Sequence, residues 1–230
     1  MKLLVATGLR REAKLLAGAG VTVICGAGRG ARLEAQLLAA AADTEADGIV
    51  SLGLGGALTP DLAVGDWVVA RSVLFGDERY PTDPAWTEAL IGTLDGPITG
   101  AFLGSETMFT AAADKRTAHE RTGALAVDME SHVAARVARR SGLRFAAARV
   151  ISDAADRNLP LAVSVGMRPD GGMALGAVLA ALAQHPAQLP ALIRTGLEAG
   201  AAFRALGRAN RLLGPGLGLV DLGDHLLDVG

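Results

Sequence analysis

The sequence holds a single cysteine, Cys25, so no internal disulfide forms and a structural zinc site has no thiolate set to draw on. Cys25 ends an apolar run and reads as a buried, inert thiol. Histidine is nearly as scarce: His119, His132, His185 and His225 show no ligand spacing, and no metal is expected. Aromatic residues make up 3% of the chain, too few for platforms on which single-stranded bases stack. The 22 basic residues, of which only 3 are lysine, are scattered among 24 acidic ones, and a net charge of −2 gives no footprint for a polyanion. Nucleic acid is therefore excluded as a partner. No apolar run reaches the roughly 18 residues of a bilayer-spanning helix, although half of the residues are apolar and the mean hydropathy is +0.34. The longest candidate, Met173 to Ala183, has the length of a core helix. The short apolar stretch Leu3 to Leu9 runs into Arg10-Arg11-Glu12, unlike a secretory signal, and a cytoplasmic location is expected.

What remains is a chain of 230 residues, enough for one α/β domain over 1–212 followed by a Gly- and Leu-rich tail, 213–230. Aliphatic runs alternate with Ala/Leu/Arg segments of helical period. The runs predict strands near Lys2–Ala6, Val21–Cys25, Gly48–Leu52, Trp67–Leu74, Ile98–Leu103, Leu125–Asp128 and Arg144–Ser152. Helices are predicted near Arg10–Ala17, Ala31–Ala42, Ala111–Arg121, Met129–Ser141, Met173–Gln184 and Gln188–Leu212. Val64-Gly65-Asp66 reads as a turn into a strand, so the sheet is expected to be mixed, with helices on both faces.

Ligands of open α/β sheets bind beyond the carboxyl ends of the strands. At those ends the sequence places the Glu12 loop, Gly26-Ala27-Gly28-Arg29-Gly30, Gly53-Leu54-Gly55-Gly56, Asp128-Met129-Glu130 and Ser152-Asp153. Glycines at strand-to-helix turns let backbone N–H groups approach an anion or a sugar. Gly26 to Ala31 also fits a loose dinucleotide fingerprint, but Leu52-Gly53 stands where the acidic partner of that motif is expected. Asp153 follows the apolar run Phe145 to Ile151, so burial is expected to raise its carboxyl and suit it to donate a proton; a capping Asp is the plainer reading. Glu130 opens a helix, where it is expected to stay ionised and accept hydrogen bonds from vicinal hydroxyls, or simply to favour the helix dipole. Glu12 also precedes an apolar helical run and reads either as an ordinary first-turn residue or, by the edge it shares with the other two acids, as part of a site.

Taken in order, these five motifs, with Val64-Gly65-Asp66 and Arg149-Val150-Ile151-Ser152-Asp153, resemble the purine nucleoside phosphorylase and methylthioadenosine/adenosylhomocysteine nucleosidase superfamily over Lys2 to about Asp156. The segment His185-Pro186-Ala187-Gln188-Leu189-Pro190-Ala191-Leu192 looks most like the hopanoid-associated branch. The resemblance implies a three-layer nucleoside phosphorylase-like fold. It further implies that Asp153 protonates the purine five-ring nitrogen while Ser152 orients it, that Glu130 and Met129 hold the ribose, that Met108 and Phe109 contact the base, and that Glu12 activates water. Gly28 and Gly53 belong to the implied substrate-binding turns, and Arg29 is the candidate phosphate partner. Leu54 stands where nucleosidases carry a serine, which leaves water and phosphate both open as nucleophile.

The function implied is cleavage of the N-glycosidic bond of a 5′-substituted adenosine, adenosylhopane in the hopanoid branch, giving adenine and ribosylhopane or its phosphate. No cofactor is implied beyond phosphate as a possible co-substrate. The implied partners are a small or lipid-linked nucleoside, a membrane surface touched transiently, and further copies of the chain in a homodimer or larger oligomer. An apolar trough for the 5′ group is expected to draw on Leu54, Phe75, Phe102, Phe109 and the tail. A methylthioadenosine/adenosylhomocysteine nucleosidase is the alternative. A nicotinamide-dependent oxidoreductase and a non-catalytic nucleoside-binding module stand further off.

Overall fold

A computed structural model describes residues 2–160, 163, 172 and 174–219; Met173 and 220–230, the greater part of the expected tail, lie outside the described residues. Eight strands are interspersed with helices: β1 (Leu3–Thr7), α1 (Arg10–Leu16), β2 (Val21–Cys25), α2 (Gly30–Thr44), β3 (Gly48–Ala57), β4 (Trp67–Phe75), β5 (Glu78–Pro81), α3 (Pro84–Thr93), β6 (Ile98–Gly104), α4 (Ala112–Thr122), β7 (Ala126–Asp128), α5 (Ser131–Ser141), β8 (Arg144–Asp153), α6 (Leu175–Gln184) and α7 (Leu189–Leu213). The sheet is mixed, in the order β2-β1-β3-β7-β6-β4-β5, with β8 pairing both β3 and β4. β3, β8, β4, β6 and β7 therefore close a circuit, from which β1 and β2 extend beyond β3.

In β1 the side chains alternate between two buried faces. Leu4 and Ala6 pack with Leu33 and Leu37 of α2 and Val133 and Val137 of α5. Leu3 and Val5 pack with Leu16 of α1, Trp86 and Leu90 of α3, and Leu206 and Leu213 of α7. This is the expected arrangement of a central mixed sheet with helices on both faces. The first residues of the tail belong to the second face: Leu217 and Leu219 are buried, and the Trp86 indole donates to the Leu217 carbonyl at 3.0 Å.

Two departures from the sequence reading matter for the site. β5 and α3 were not predicted, although Asp83 caps α3 by accepting from the Trp86 amide at 2.8 Å and Pro84 occupies its first turn. More consequentially, Gly53-Leu54-Gly55-Gly56 is strand rather than turn: β3 runs on to Ala57, pairing in parallel with β8 and slipping register between Gly55 and Gly56. Side chains of neighbouring elements occupy the space in which Cβ atoms would stand. A Cβ on Gly53 would lie 2.7 Å from a Glu12 oxygen, on Gly55 3.1 Å from Arg149, and on Gly56 3.1 Å from Asp153.

Candidate active site

The ends of β1, β3, β7 and β8 and the helices that follow them open into one cavity of about 570 Å³. Its lining includes Glu12, Gly28, Met108, Phe109, Met129, Glu130, Ser152 and Asp153, drawn from segments up to 141 residues apart in the chain, from Glu12 to Asp153. Gly53 and Arg29 do not line it. Gly53 lies beneath the Glu12 carboxylate, and Arg29 is exposed at the start of α2, which corrects its placement as a phosphate partner within the cavity. Phe102 is core and Phe75 stacks on His132 at 4.1 Å, so neither faces the trough expected of them; Leu54 and Phe109 do.

Glu12 sits in the first turn of α1 and turns back on itself. Its carboxylate accepts from the amides of Gly8 and Leu9, each at 2.8 Å, and from Leu54 at 2.7 Å. Burial pushes this carboxyl above its ordinary value, and the Leu54 and Leu9 amides and the Arg149 charge draw it part of the way back. A group held in this way is fixed in position and retains affinity for a proton.

Glu130 occupies the N-cap position of α5, and the cap itself is made by Asp128, which accepts from the amides of Glu130 and Ser131 at 2.8 and 2.6 Å. Among the described residues no side chain donates to the Glu130 carboxylate, which packs so closely on Gly8 that a Cβ there would meet it at 2.9 Å. Burial, with the neighbouring Asp128 charge, pushes its pKa up to about 8. This direction runs against the expectation that Glu130 stays ionised: the Arg149 charge and the Met129 amide draw the carboxyl only part of the way back. Arg149, buried in β8, reaches Asp128 at 3.2 Å and Ser51 at 2.7 Å and is the cation beneath this group of acids.

Asp153 ends β8. The Ser152 hydroxyl donates to one of its oxygens at 2.9 Å and the Lys115 ammonium to the other at 2.5 Å. The partly desolvated carboxyl expected from the sequence has, beside the expected Ser152, a partner the sequence reading did not name: it is one half of an ion pair whose lysine is entirely buried. Neither Lys115 nor Arg149 was singled out in the sequence. The signal for Arg149 is a lone charge in an otherwise apolar strand, and for Lys115 the rarity of lysine in an arginine-rich chain.

The rest of the lining is mostly apolar, with Leu9, Leu54, Met108, Phe109, Leu159, Leu192 and Phe203, and it also holds the cations Arg10, Arg11 and Lys14. Among the described residues no group of three His, Cys, Asp or Glu side chains is placed to hold a metal ion, and no helix is long and apolar enough to cross a membrane.

No curated protein matches the chain in sequence. Solved structures match its fold. A 5′-methylthioadenosine/S-adenosylhomocysteine nucleosidase of Helicobacter pylori is similar at a TM-score of 0.64 and 13% identity, covering 90% of this chain and 97% of that one. A putative methylthioadenosine nucleosidase of Weissella paramesenteroides is similar at 0.61 and 17%, with 90% and 97% covered. The futalosine hydrolase of Helicobacter pylori is similar at 0.60 and 13%, with 80% and 98% covered. The family model of the phosphorylase superfamily matches residues 8–184, a span that contains β3, Glu130, Asp153 and nearly all of the cavity floor. With that match over more than half of its length, the chain belongs to the phosphorylase superfamily.

Proposed function

We propose that this enzyme cleaves the N-glycosidic bond of an adenosine carrying a large apolar 5′ group, releasing adenine, and that adenosylhopane is its substrate. The observation that carries this reading is the division of one cavity into a floor of carboxylates and a long apolar wall. In the proposed reaction a proton taken up by the Asp153–Lys115 pair as substrate binds passes from Asp153 to the five-ring nitrogen while the C1′–N9 bond breaks with its electron pair going to adenine, and neutral adenine departs. Glu130 accepts from the ribose hydroxyls, with Met129 beside the sugar and Met108 and Phe109 beside the base. Water is the nucleophile that the floor favours: it adds to C1′ and yields its proton to Glu12, which balances the proton lost from Asp153. An inorganic phosphate on the floor would stand among Glu12, Asp128 and Glu130, and the buried cation beneath them, Arg149, is committed to Asp128 and Ser51; Arg10, Arg11 and Lys14, which also line the cavity, are the cations that a phosphate-dependent reaction would draw on.

The apolar wall supports the 5′ assignment. Leu192, Gly196, Ala199 and Phe203 of α7 face the cavity, and the adjoining stripe of the same helix, Leu189, Ile193 and Leu197, is 44%, 55% and 70% exposed. A triterpene leaving the cavity along α7 meets apolar surface throughout, and we include in the proposal a transient contact of this stripe with a membrane. A homodimer or larger oligomer is proposed from the family resemblance alone. The named activities of the Helicobacter and Weissella proteins make a methylthioadenosine/adenosylhomocysteine nucleosidase the second reading.

The test is adenine release by the purified protein from methylthioadenosine, adenosylhomocysteine and 5′-decylthioadenosine, each with and without phosphate. Phosphate-independent release favouring the decyl compound is expected. Preference for methylthioadenosine selects the second reading, a requirement for phosphate overturns water as nucleophile, and no release from any of the three overturns the proposal.

A further inference from the structure

Of the 22 cationic side chains 19 are arginine, yet the one fully buried against the proposed acid is a lysine. Its surroundings give the reason. The Lys115 ammonium has three protons and meets three acceptors: Asp153 Oδ2 at 2.5 Å, the Ala154 carbonyl at 2.8 Å and the Arg157 carbonyl at 3.5 Å. A planar guanidinium fork does not fit three acceptors converging on a point, so arginine is no substitute here.

Further bonds join the same two segments. Asn158 accepts from the Ala112 amide at 2.8 Å, and the Leu159 amide donates to the Thr110 carbonyl at 2.8 Å. Residues 108–115, which carry Met108 and Phe109 and open α4, are thereby tied to residues 153–159, which begin with the acid. With Ser152 on Oδ1 and Lys115 on Oδ2, the carboxyl plane of Asp153 cannot rotate without breaking a hydrogen bond, while each oxygen keeps a lone pair for another partner.

We propose that Lys115 is a positioning residue of the reaction: it fixes the Asp153 carboxyl in register with the segment that holds the base, so that proton transfer to the departing purine is in line from the outset. Lys115 does not touch the substrate and acts only through Asp153. The inference rests on the proposed N-glycosidic cleavage.

A substrate whose departing group needs no proton separates positioning of the acid from mere integrity of the fold. The probes are 5′-decylthioadenosine and the matching 4-nitrophenyl 5-decylthio-β-D-ribofuranoside, assayed with the wild type, Lys115→Met, Asp153→Asn and the double variant. For Lys115→Met, kcat for adenine release is expected to fall by about 10²-fold with KM within about threefold, and nitrophenol release to stay within about threefold of wild type. In the Asp153→Asn background the second substitution should cost no more than about twofold, because two residues acting through one carboxyl are non-additive. Equal losses on both probes, additive losses in the double variant, or undiminished adenine release overturn the inference. Should Lys115→Met fail to fold because it strands a buried carboxylate, the double variant leaves no charge unpaired, and its comparison with Asp153→Asn decides alone. Absence of adenine release from the wild type is a different result: it overturns the reaction itself rather than the role of Lys115.

Discussion

The floor and the wall of the cavity are built on opposite principles. On the floor each acid is located by backbone or by charge: Glu12 by three amides, Asp153 by an ammonium and a hydroxyl, Glu130 by the glycines against which it is pressed. β3 forgoes side chains at Gly53, Gly55 and Gly56 so that those of its neighbours can occupy the space. The wall is tied more loosely. Leu192 and Phe109 contribute apolar area, Phe203 carries the Arg11 guanidinium over its ring at 4.2 Å, and the helix of Leu192 and Phe203 continues its apolar surface into solvent. A floor of this kind holds reacting atoms to within fractions of an ångström, whereas a wall of this kind selects by size and polarity. Chemistry and specificity are accordingly expected to respond to different substitutions.

The largest effect should come from the floor. Asp153→Asn keeps the shape of the side chain but cannot carry the proton, and the Lys115 ammonium keeps only its carbonyl partners; adenine release is expected to fall by about 10²–10⁴-fold, with the fold checked by far-ultraviolet circular dichroism. A variant that still turns over at near the wild-type rate breaks the division at its most important point.

Glu130 sharpens the comparison through pH. Burial and the Asp128 charge push its carboxyl from the ordinary 4.5 up to about 8 in the folded protein, so its contribution to stability is fully present below about 4.5 and is lost as pH rises through about 8. Glu130→Gln removes that penalty. The variant should unfold at a higher temperature than wild type at pH 8, by a few degrees, since about 1 kcal/mol moves the midpoint of a chain this long by roughly 2–4 °C. The two should converge toward pH 4.5. A wild-type midpoint that does not decline over this interval relative to the variant contradicts the burial argument.

Gly53→Ala tests whether close approach is what the glycine is for. A methyl 2.7 Å from the Glu12 oxygen must displace that carboxylate from its amides, at about 1–3 kcal/mol, read as a lowered thermal midpoint together with lost activity. On the wall, Leu192→Asn should raise KM for 5′-decylthioadenosine by about tenfold, the value of one lost apolar contact of about 1.4 kcal/mol, and leave methylthioadenosine within about twofold. Equal effects on both substrates would show that the wall does not select the 5′ group.

The floor was the more legible half. Glu12, Glu130 and Asp153 announce themselves because each follows an apolar strand and opens a turn or helix, a position that a carboxylate occupies for capping or for chemistry. Their partners were hidden for physical reasons. Lys115 lies in the polar run Ala112 to Thr122, where a charge looks solvated, and only the fold turns that side inward onto β8. Glycine-dense Gly53 to Gly56 looks like a turn because glycine's commonest use is conformational; here Gly53, Gly55 and Gly56 leave room for neighbouring side chains, which no local pattern records. The upward shift of Glu130 comes from burial and from the Asp128 charge, neither of which a helix-start position records. On the wall, Leu54 and Phe109 were anticipated while Phe75 and Phe102 went to packing, the usual fate of an aromatic residue in a strand.

The most direct test of a reactive floor joined to a selective wall is the steady-state kinetics of adenine release along a series of 5′-alkylthioadenosines from methyl to dodecyl. The account predicts that KM falls with each added methylene until the cavity is filled while kcat stays constant, since the chain touches only the wall. A KM that is flat or rises with chain length, or a kcat that tracks it, would contradict the account.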